Sequence, residues 1–153
     1  MERFIYTLET LSGIYYDLND TIKCIDYATR AVKSEPKNIE WWRFRGVLYL
    51  EFEQYDNAIA DFDEMIRLNP NAENGYMWKG KTYYQLKQYD KAIEAYKKTI
   101  EKYAGTEEAY AALEGLEQVY VESNNINDYL AYTKTLNKIN MQTTSQEDSL
   151  VYV

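Results

Sequence analysis

The sequence contains no histidine and a single cysteine, Cys24. Histidine is the most common general base and metal ligand in proteins, so its absence removes two usual routes to catalysis. One cysteine cannot form a disulfide within the chain. The sequence also lacks a glycine-rich phosphate-binding loop. We therefore expect no catalytic residue, no cofactor and no metal site, and a chain that is not an enzyme.

Long apolar runs are also missing. No run approaches the about 20 residues that a membrane span requires, and the first residues, MERFIYTLETLSG, lack the apolar stretch of a secretory signal. We expect no membrane span, and a cytoplasmic location if the sequence is complete. The net charge of −8 opposes binding to a nucleic-acid backbone, so nucleic acid is not an expected partner.

What the sequence does contain is a repeat. The segment EQYDNAIADFDEMIRLNP at 53–70 returns as KQYDKAIEAYKKTIEKYA at 87–104, which is 34 places later. The same shift superimposes other small and aromatic residues of the sequence. A fixed period of this length is typical of stacked helical repeats. The units are 5–38, 39–72, 73–106 and a degenerate fourth unit, 107–140, whose second half needs an offset of two or three residues.

Each unit contains two helical stripes of apolar residues, separated by a turn such as EQYD. Asp56 and Asp90 follow this turn, and we expect them to cap the second helices. Gly46, Gly80 and Ser12 recur at one place of the first helices. Small residues there predict a close crossing between the two helices of a unit.

These residues match a known pattern. An aromatic residue, glycine, tyrosine, alanine, a second aromatic residue and proline stand at fixed spacings in the second unit, as Trp42, Gly46, Tyr49, Ala58, Phe62 and Pro70. The pattern resembles the tetratricopeptide repeat over residues 5–140. The resemblance implies an all-α fold, a right-handed α-solenoid of stacked antiparallel helix pairs with seven or eight helices and no sheet. It implies one domain, 1–140, with a concave groove in which a peptide or a partner helix docks.

The resemblance also implies which residues line that groove, because the family uses particular places of the first helices. Among the residues at those places we expect the partner-binding set to be Arg43, Val47, Leu50, Met77, Lys81 and Tyr84. Leu50, Met77 and Tyr84 are apolar anchors in this interpretation. Arg43 and Lys81 would hold a carboxylate or backbone carbonyls.

One subtype of the family binds chaperone C-termini through a clamp of lysine, asparagine and arginine. The matching places in this sequence are occupied by Glu9, Gly13, Phe44, Asn74 and Trp78. None of these residues is the one that the clamp uses. We therefore do not expect a chaperone-tail clamp of that kind.

The remaining candidates have simpler interpretations. Cys24 is expected to be a buried structural thiol. Asp61, Asp63 and Glu64 are expected to spread over a solvated helix face. The lysines of residues 73–106 either form a solvated face or meet an acidic partner.

Two functions remain after these exclusions. The first is a protein–protein interaction scaffold with a protein or peptide partner of unknown identity. The alternative is an assembly module that self-associates through its ends, or a fragment of a longer repeat array such as those of bacterial repeat proteins. The tail 141–153, which ends with Leu150, Val151 and Val153, resembles the start of a further helix and favours the second function.

Overall fold

The computed structural model describes residues 2–72 and 74–137, with side chains from residue 7 onward. This part of the chain forms eight α-helices and contains no strand. The prediction of an all-α solenoid with seven or eight helices is confirmed. The helices are α1 (Glu2–Asp17), α2 (Thr21–Ser34), α3 (Ile39–Glu51), α4 (Tyr55–Leu68), α5 (Asn74–Gln85), α6 (Tyr89–Lys102), α7 (Glu107–Glu122) and α8 (126–137).

The helices pack as pairs, and the pairs stack in chain order. Helix α1 packs on α2, α3 on α4 and α5 on α6, and contacts of α2 with α3, α4 with α5 and α6 with α7 join the layers. Helix α5 also contacts both α3 and α7. The first helices α3, α5 and α7 therefore lie side by side along one face of the stack.

The turn between the two helices of a pair has one backbone geometry throughout the described chain. Asn19, Glu53, Lys87 and Asn124 all have φ between 56° and 59°. The amide after each of these residues bonds to a carbonyl five residues earlier, as Gln54 does to Tyr49 at 2.8 Å. These are the left-handed residue and the hydrogen bond of a Schellman C-cap.

The fourth unit is longer than the others by part of a turn. Helix α7 ends at Glu122, three residues beyond the place that lies 34 after the end of α5. Its left-handed residue, Asn124, is displaced by the same three residues from the periodic place. The tail 141–153 lies outside the described residues. Each helix in the described ranges is too short or too polar to span a membrane.

The second helices are not capped as the sequence suggested. Helices α4 and α6 begin at Tyr55 and Tyr89, and their N-cap residues are glutamines that make no side-chain cap hydrogen bond. Asp56 and Asp90 lie one residue inside the first turn, so the prediction that they are N-caps is wrong. Their charge is nevertheless favourable there, because the N-terminus of a helix carries a partial positive charge.

The predicted close crossings are present in the pairs α3–α4 and α5–α6. A Cβ atom on Gly46 would lie 2.6 Å from the Phe62 ring, and one on Gly80 would lie 2.7 Å from the Tyr96 ring. In α1–α2 the corresponding residue is Ser12, whose hydroxyl donates to the Cys24 carbonyl at 2.9 Å. The Cys24 thiol is fully buried, as predicted, and burial raises its pKa.

The acidic residues of α4 do not all lie on a solvated face, so that prediction is wrong for Asp61. Its side chain is 4% exposed and accepts two hydrogen bonds from the Arg45 guanidinium, at 2.7 and 2.8 Å. Arg45 also donates to Thr29 at 3.2 Å, which links three helices. A bidentate pair of this kind satisfies both the buried carboxylate and the largely buried guanidinium.

Gly80→Ala tests the crossing of α5 and α6. The new methyl group would overlap the Tyr96 ring, which is 3% exposed and has little room to move. We expect the free energy of unfolding to fall by about 1–3 kcal/mol. Gly13→Ala is the control, because a Cβ added there would meet nothing within 4 Å, and it should raise the free energy of unfolding by about 0.5–1 kcal/mol. Urea denaturation measures both, and equal effects of the two changes would contradict the crossing.

Lys87→Gly tests the left-handed turn. Glycine adopts the φ of 56° without the steric cost of about 1–2 kcal/mol that other residues carry. We expect thermal unfolding to show a stabilisation of about 0.5–1 kcal/mol. Lys91→Gly removes the same side chain inside α6 and should destabilise by about 0.5–1 kcal/mol. A loss of stability in both variants would argue against a strained turn.

The buried pair is tested by Asp61→Asn, which leaves the Arg45 charge without its carboxylate. We expect a destabilisation of about 3–5 kcal/mol in urea titrations. The double variant Arg45→Met, Asp61→Leu should lose much less, because it removes both charges. If the single change cost no more than the double one, the pair would not be a coupled buried unit.

Candidate partner-binding groove

An open cavity of about 690 Å³ lies along the first helices of the last three pairs. Side chains from α3, α5 and α7 form its walls, and the turn after α3 forms one end. Its lining residues are Leu50, Glu51, Glu53, Tyr55, Trp78, Lys81, Tyr84, Gln85, Tyr96, Ala111, Glu114, Gly115 and Gln118. We call this cavity the groove.

Tyr96 forms the floor of the groove, although it belongs to the second helix α6. Its ring reaches between α5 and α7, where Gly80 and Gly115 leave space for it. A Cβ on Gly115 would lie 2.7 Å from the Tyr96 ring. Burial raises the pKa of the Tyr96 hydroxyl, which therefore stays protonated at neutral pH.

Trp78 lies on α5 above this floor. Its ring stacks on Phe62, with centroids 6.0 Å apart and planes at 18°. The ammonium of Lys81 lies 4.6 Å from the Trp78 centroid, within the range of a cation–π contact. Packing against Phe62 thus holds the Trp78 indole in place, and the Lys81 ammonium already contacts the ring.

Tyr84 is held by Glu122 at the end of α7. Its hydroxyl donates to one carboxylate oxygen, and Tyr89 donates to the other at 3.4 Å. This hydrogen bond raises the pKa of Tyr84 to about 12. The arrangement joins α5, α6 and α7 at one end of the groove, and nothing in the sequence period indicated it, because the partners are 38 residues apart.

The structure brings three of the six expected residues together, since Leu50, Lys81 and Tyr84 all line the groove. Val47 is half-buried and packs against the core cluster around Phe62. Arg43 lies outside the groove lining, and its guanidinium donates to Glu40 at 2.8 Å.

Met77 is placed differently from the expectation. It is 8% exposed and belongs to the core cluster that includes Tyr96 and Leu116. The expected set also omitted the carboxylates of the groove, Glu51, Glu53 and Glu114. Glu51 stands at one of the family's groove places, so the sequence contained a signal for it. Glu53 lies in the turn, where that pattern assigns no role.

The lysines of α5 and α6 form a second surface, on the side of the second helices. Lys79 pairs with Asp63 at 2.6 Å, and Lys98 pairs with Glu94 at 2.7 Å. Lys79 and Lys91 also lie over the Tyr83 ring. Much of this positive charge is therefore engaged by the protein's own rings and carboxylates. Within the described ranges, no group of three or more acidic, cysteine or histidine side chains could hold a metal ion.

Curated relatives match part of the chain. "Heat shock protein STI1" of Saccharomyces cerevisiae is 31% identical over 106 residues, which is 69% of this chain and 18% of that protein. "Hsp70-Hsp90 organizing protein 3" of Arabidopsis thaliana is 27% identical over 75 residues, 49% of this chain and 13% of that protein. The matches thus span less than a fifth of the length of these relatives.

Solved structures share the fold. "Crystal structure of MamA" has a TM-score of 0.70 at 24% identity and covers 92% of this chain and 81% of that one. "First TPR of Spaghetti (RPAP3) bound to HSP90 peptide SRMEEVD" has a TM-score of 0.65 at 18% identity and covers 78% of this chain and 93% of that one. Both similarities concern the helical solenoid.

Two family models match the sequence directly, and both are described as tetratricopeptide repeat. One matches residues 15–73 and the other matches residues 49–116, so that together they extend from the first pair of helices into the fourth. The helix pairs, the glycine crossings and the repeated turns of the structure agree with these matches. The chain belongs to the tetratricopeptide repeat family.

Proposed function

We propose that the chain is a non-catalytic scaffold whose groove binds a peptide or a helix of a partner protein. The observation that carries this proposal is the open cavity built from three successive first helices, α3, α5 and α7. A segment lying in it would contact three layers of the solenoid at once. Side chains of the lining that the core does not bury are available for that contact.

The groove combines apolar and polar groups in the way that peptide sites do. Leu50, Trp78 and Tyr84 offer apolar surface, and Gln85 of α5 and Gln118 of α7 offer amide hydrogen-bonding groups. Trp78 and Tyr84 are already held by packing and hydrogen bonding, so binding orders few groove side chains. We expect a dissociation constant on the order of 1 μM, because a short segment loses its conformational freedom on binding.

The family supports the same function. The RPAP3 domain is described with an HSP90 peptide bound, and other relatives are chaperone-organizing proteins. At three of the places of the chaperone-tail clamp this chain has Glu9, Phe44 and Trp78, which are not the residues that the clamp uses. We therefore assign a peptide-binding role without assigning a chaperone tail as the ligand.

A second function, assembly through the ends, is favoured by the distribution of exposed apolar side chains. The large exposed apolar residues of the described chain lie in the first and fourth units. They are Ile14, Tyr16, Leu18 and Ile22 at one end, and Tyr110, Val121, Ile126 and Leu130 at the other. Apolar end faces of this kind are where a solenoid adds a further layer.

Filling the groove tests the scaffold function. Gln118→Trp adds bulk to an exposed position of the α7 wall without changing a charge. A random library of about twelve-residue peptides, displayed on phage, is first selected on the natural sequence, and the recovered peptides are synthesised and titrated by fluorescence anisotropy. We expect Gln118→Trp to weaken their binding at least about ten-fold, because the added indole occupies the space of the ligand.

Ala60→Trp is the matched control, since residue 60 is exposed on α4 and lies outside the groove lining. It should bind the peptides as the natural sequence does, and both variants should keep the helical circular-dichroism signal. Equal binding by all three proteins would refute the groove as the binding site. A dimer that dissociates on changing Leu18 and Ile22 to glutamine would instead support assembly through the ends.

A further inference from the structure

We propose that the segment bound in the groove is cationic and carries at least two lysine or arginine residues on either side of an apolar or aromatic residue. The inference rests on the proposed function and specifies the chemistry of the partner. It differs from the sequence-based expectation, in which Arg43 and Lys81 hold a carboxylate or backbone carbonyls of the partner. Three observations support the proposal. They are the net charge of the groove lining, the partners that Arg43 and Lys81 already have, and the places of the carboxylates.

The lining of the groove carries a net negative charge. Three carboxylates, Glu51, Glu53 and Glu114, face one cation, Lys81. All three carboxylates are exposed, and none of the ion pairs found among the described residues involves them. They are therefore available to a ligand. Electrostatic complementarity favours a partner of opposite sign and speeds its encounter with the site.

The two cations that could attract an acidic segment, Arg43 and Lys81, both have partners within the protein. Arg43 is paired with Glu40, with 2.7 Å between its guanidinium and the carboxylate, and lies outside the groove lining. Lys81 lies over Trp78, so a carboxylate would have to compete with the ring for its ammonium. The contact also shows that this ring accepts a cation.

The carboxylates of the groove lie on both sides of Trp78. Glu51 is the last residue of α3, and Glu53 follows it in the turn, so both lie where the helix C-terminus adds partial negative charge. Glu114 lies on α7, and α5 with Trp78 packs between α3 and α7. A segment that crosses α5 thus has carboxylates at both ends and an aromatic side chain between them. This spacing explains why the proposal requires cations on either side of an apolar residue.

The peptides recovered from the random library test the proposal through their composition. We expect lysine and arginine to exceed aspartate and glutamate clearly among peptides whose binding Gln118→Trp weakens. The titrations of these peptides should weaken as salt is raised, because exposed charge pairs are screened.

A triple variant identifies the carboxylates responsible. Glu51→Gln, Glu53→Gln and Glu114→Gln together should weaken the binding of the recovered peptides about ten-fold, with most of the change at low salt. The control triple, Glu64→Gln, Glu94→Gln and Glu101→Gln, changes the net charge equally on α4 and α6, away from the groove lining. It should leave binding within about two-fold. Lys81→Gln should leave binding unchanged or tighten it, because it removes a like charge from the site.

The outcomes separate this inference from the function on which it rests. Groove-dependent peptides that are acidic or neutral, or a loss of binding in Lys81→Gln, would overturn the cationic ligand and leave the scaffold function standing. Cationic peptides that bind Gln118→Trp as well as the natural sequence would overturn the groove. Equal weakening by the two triple variants would show a general charge effect and overturn the proposal, and a library that yields no binder would overturn both.

Discussion

The structure depends on aromatic rings that lie directly over glycine at helix crossings. Phe62 closes the α3–α4 crossing over Gly46, and Tyr96 closes the α5–α6 crossing over Gly80, with space for no additional carbon atom in either. In the α1–α2 pair the ring position is Ala28, which is fully buried, and Ser12 replaces the glycine. A smaller residue on one helix thus permits a larger one on the other, because interior packing tolerates neither overlap nor void.

The groove follows from the same packing. Tyr96 is long enough to pass α5 and reach Gly115 of α7, so one ring packs between two layers. Its far side becomes the floor of the cavity that α3, α5 and α7 enclose. A core residue of the second helix α6 therefore packs against both α5 and α7 and limits how closely these two first helices approach its ring.

Most features that the period repeats were predicted correctly, although Asp56 and Asp90 also repeat and are not the N-caps. Prediction also failed where a contact joins two places that the period does not relate. The stack of seven or eight helices, the crossings at Gly46 and Gly80 and the burial of Cys24 followed from residue types that recur at fixed places. The burial of Asp61 did not, because its counterpart 34 places later is Ala95 and its cost is offset by Arg45 from another helix. The placement of Met77 failed likewise, since α7 of the next unit contributes Leu116 to the cluster that buries it. Contacts of this kind, between residues at unrelated places of the repeat, become visible only in the folded structure.

At some places of the repeat, the residue type differs between units although the backbone is the same. The charged residues of the groove stand at such places. Glu53 and Lys87 have the same left-handed backbone in successive turns, yet their charges are opposite. Glu51 and Gln85 likewise end the first helices α3 and α5. Since the turn forms with either charge, stability does not require a carboxylate at these places of the second unit. The acidic residues of the groove lining can therefore change without changing the fold. A repeat protein can set its specificity for a partner at such positions.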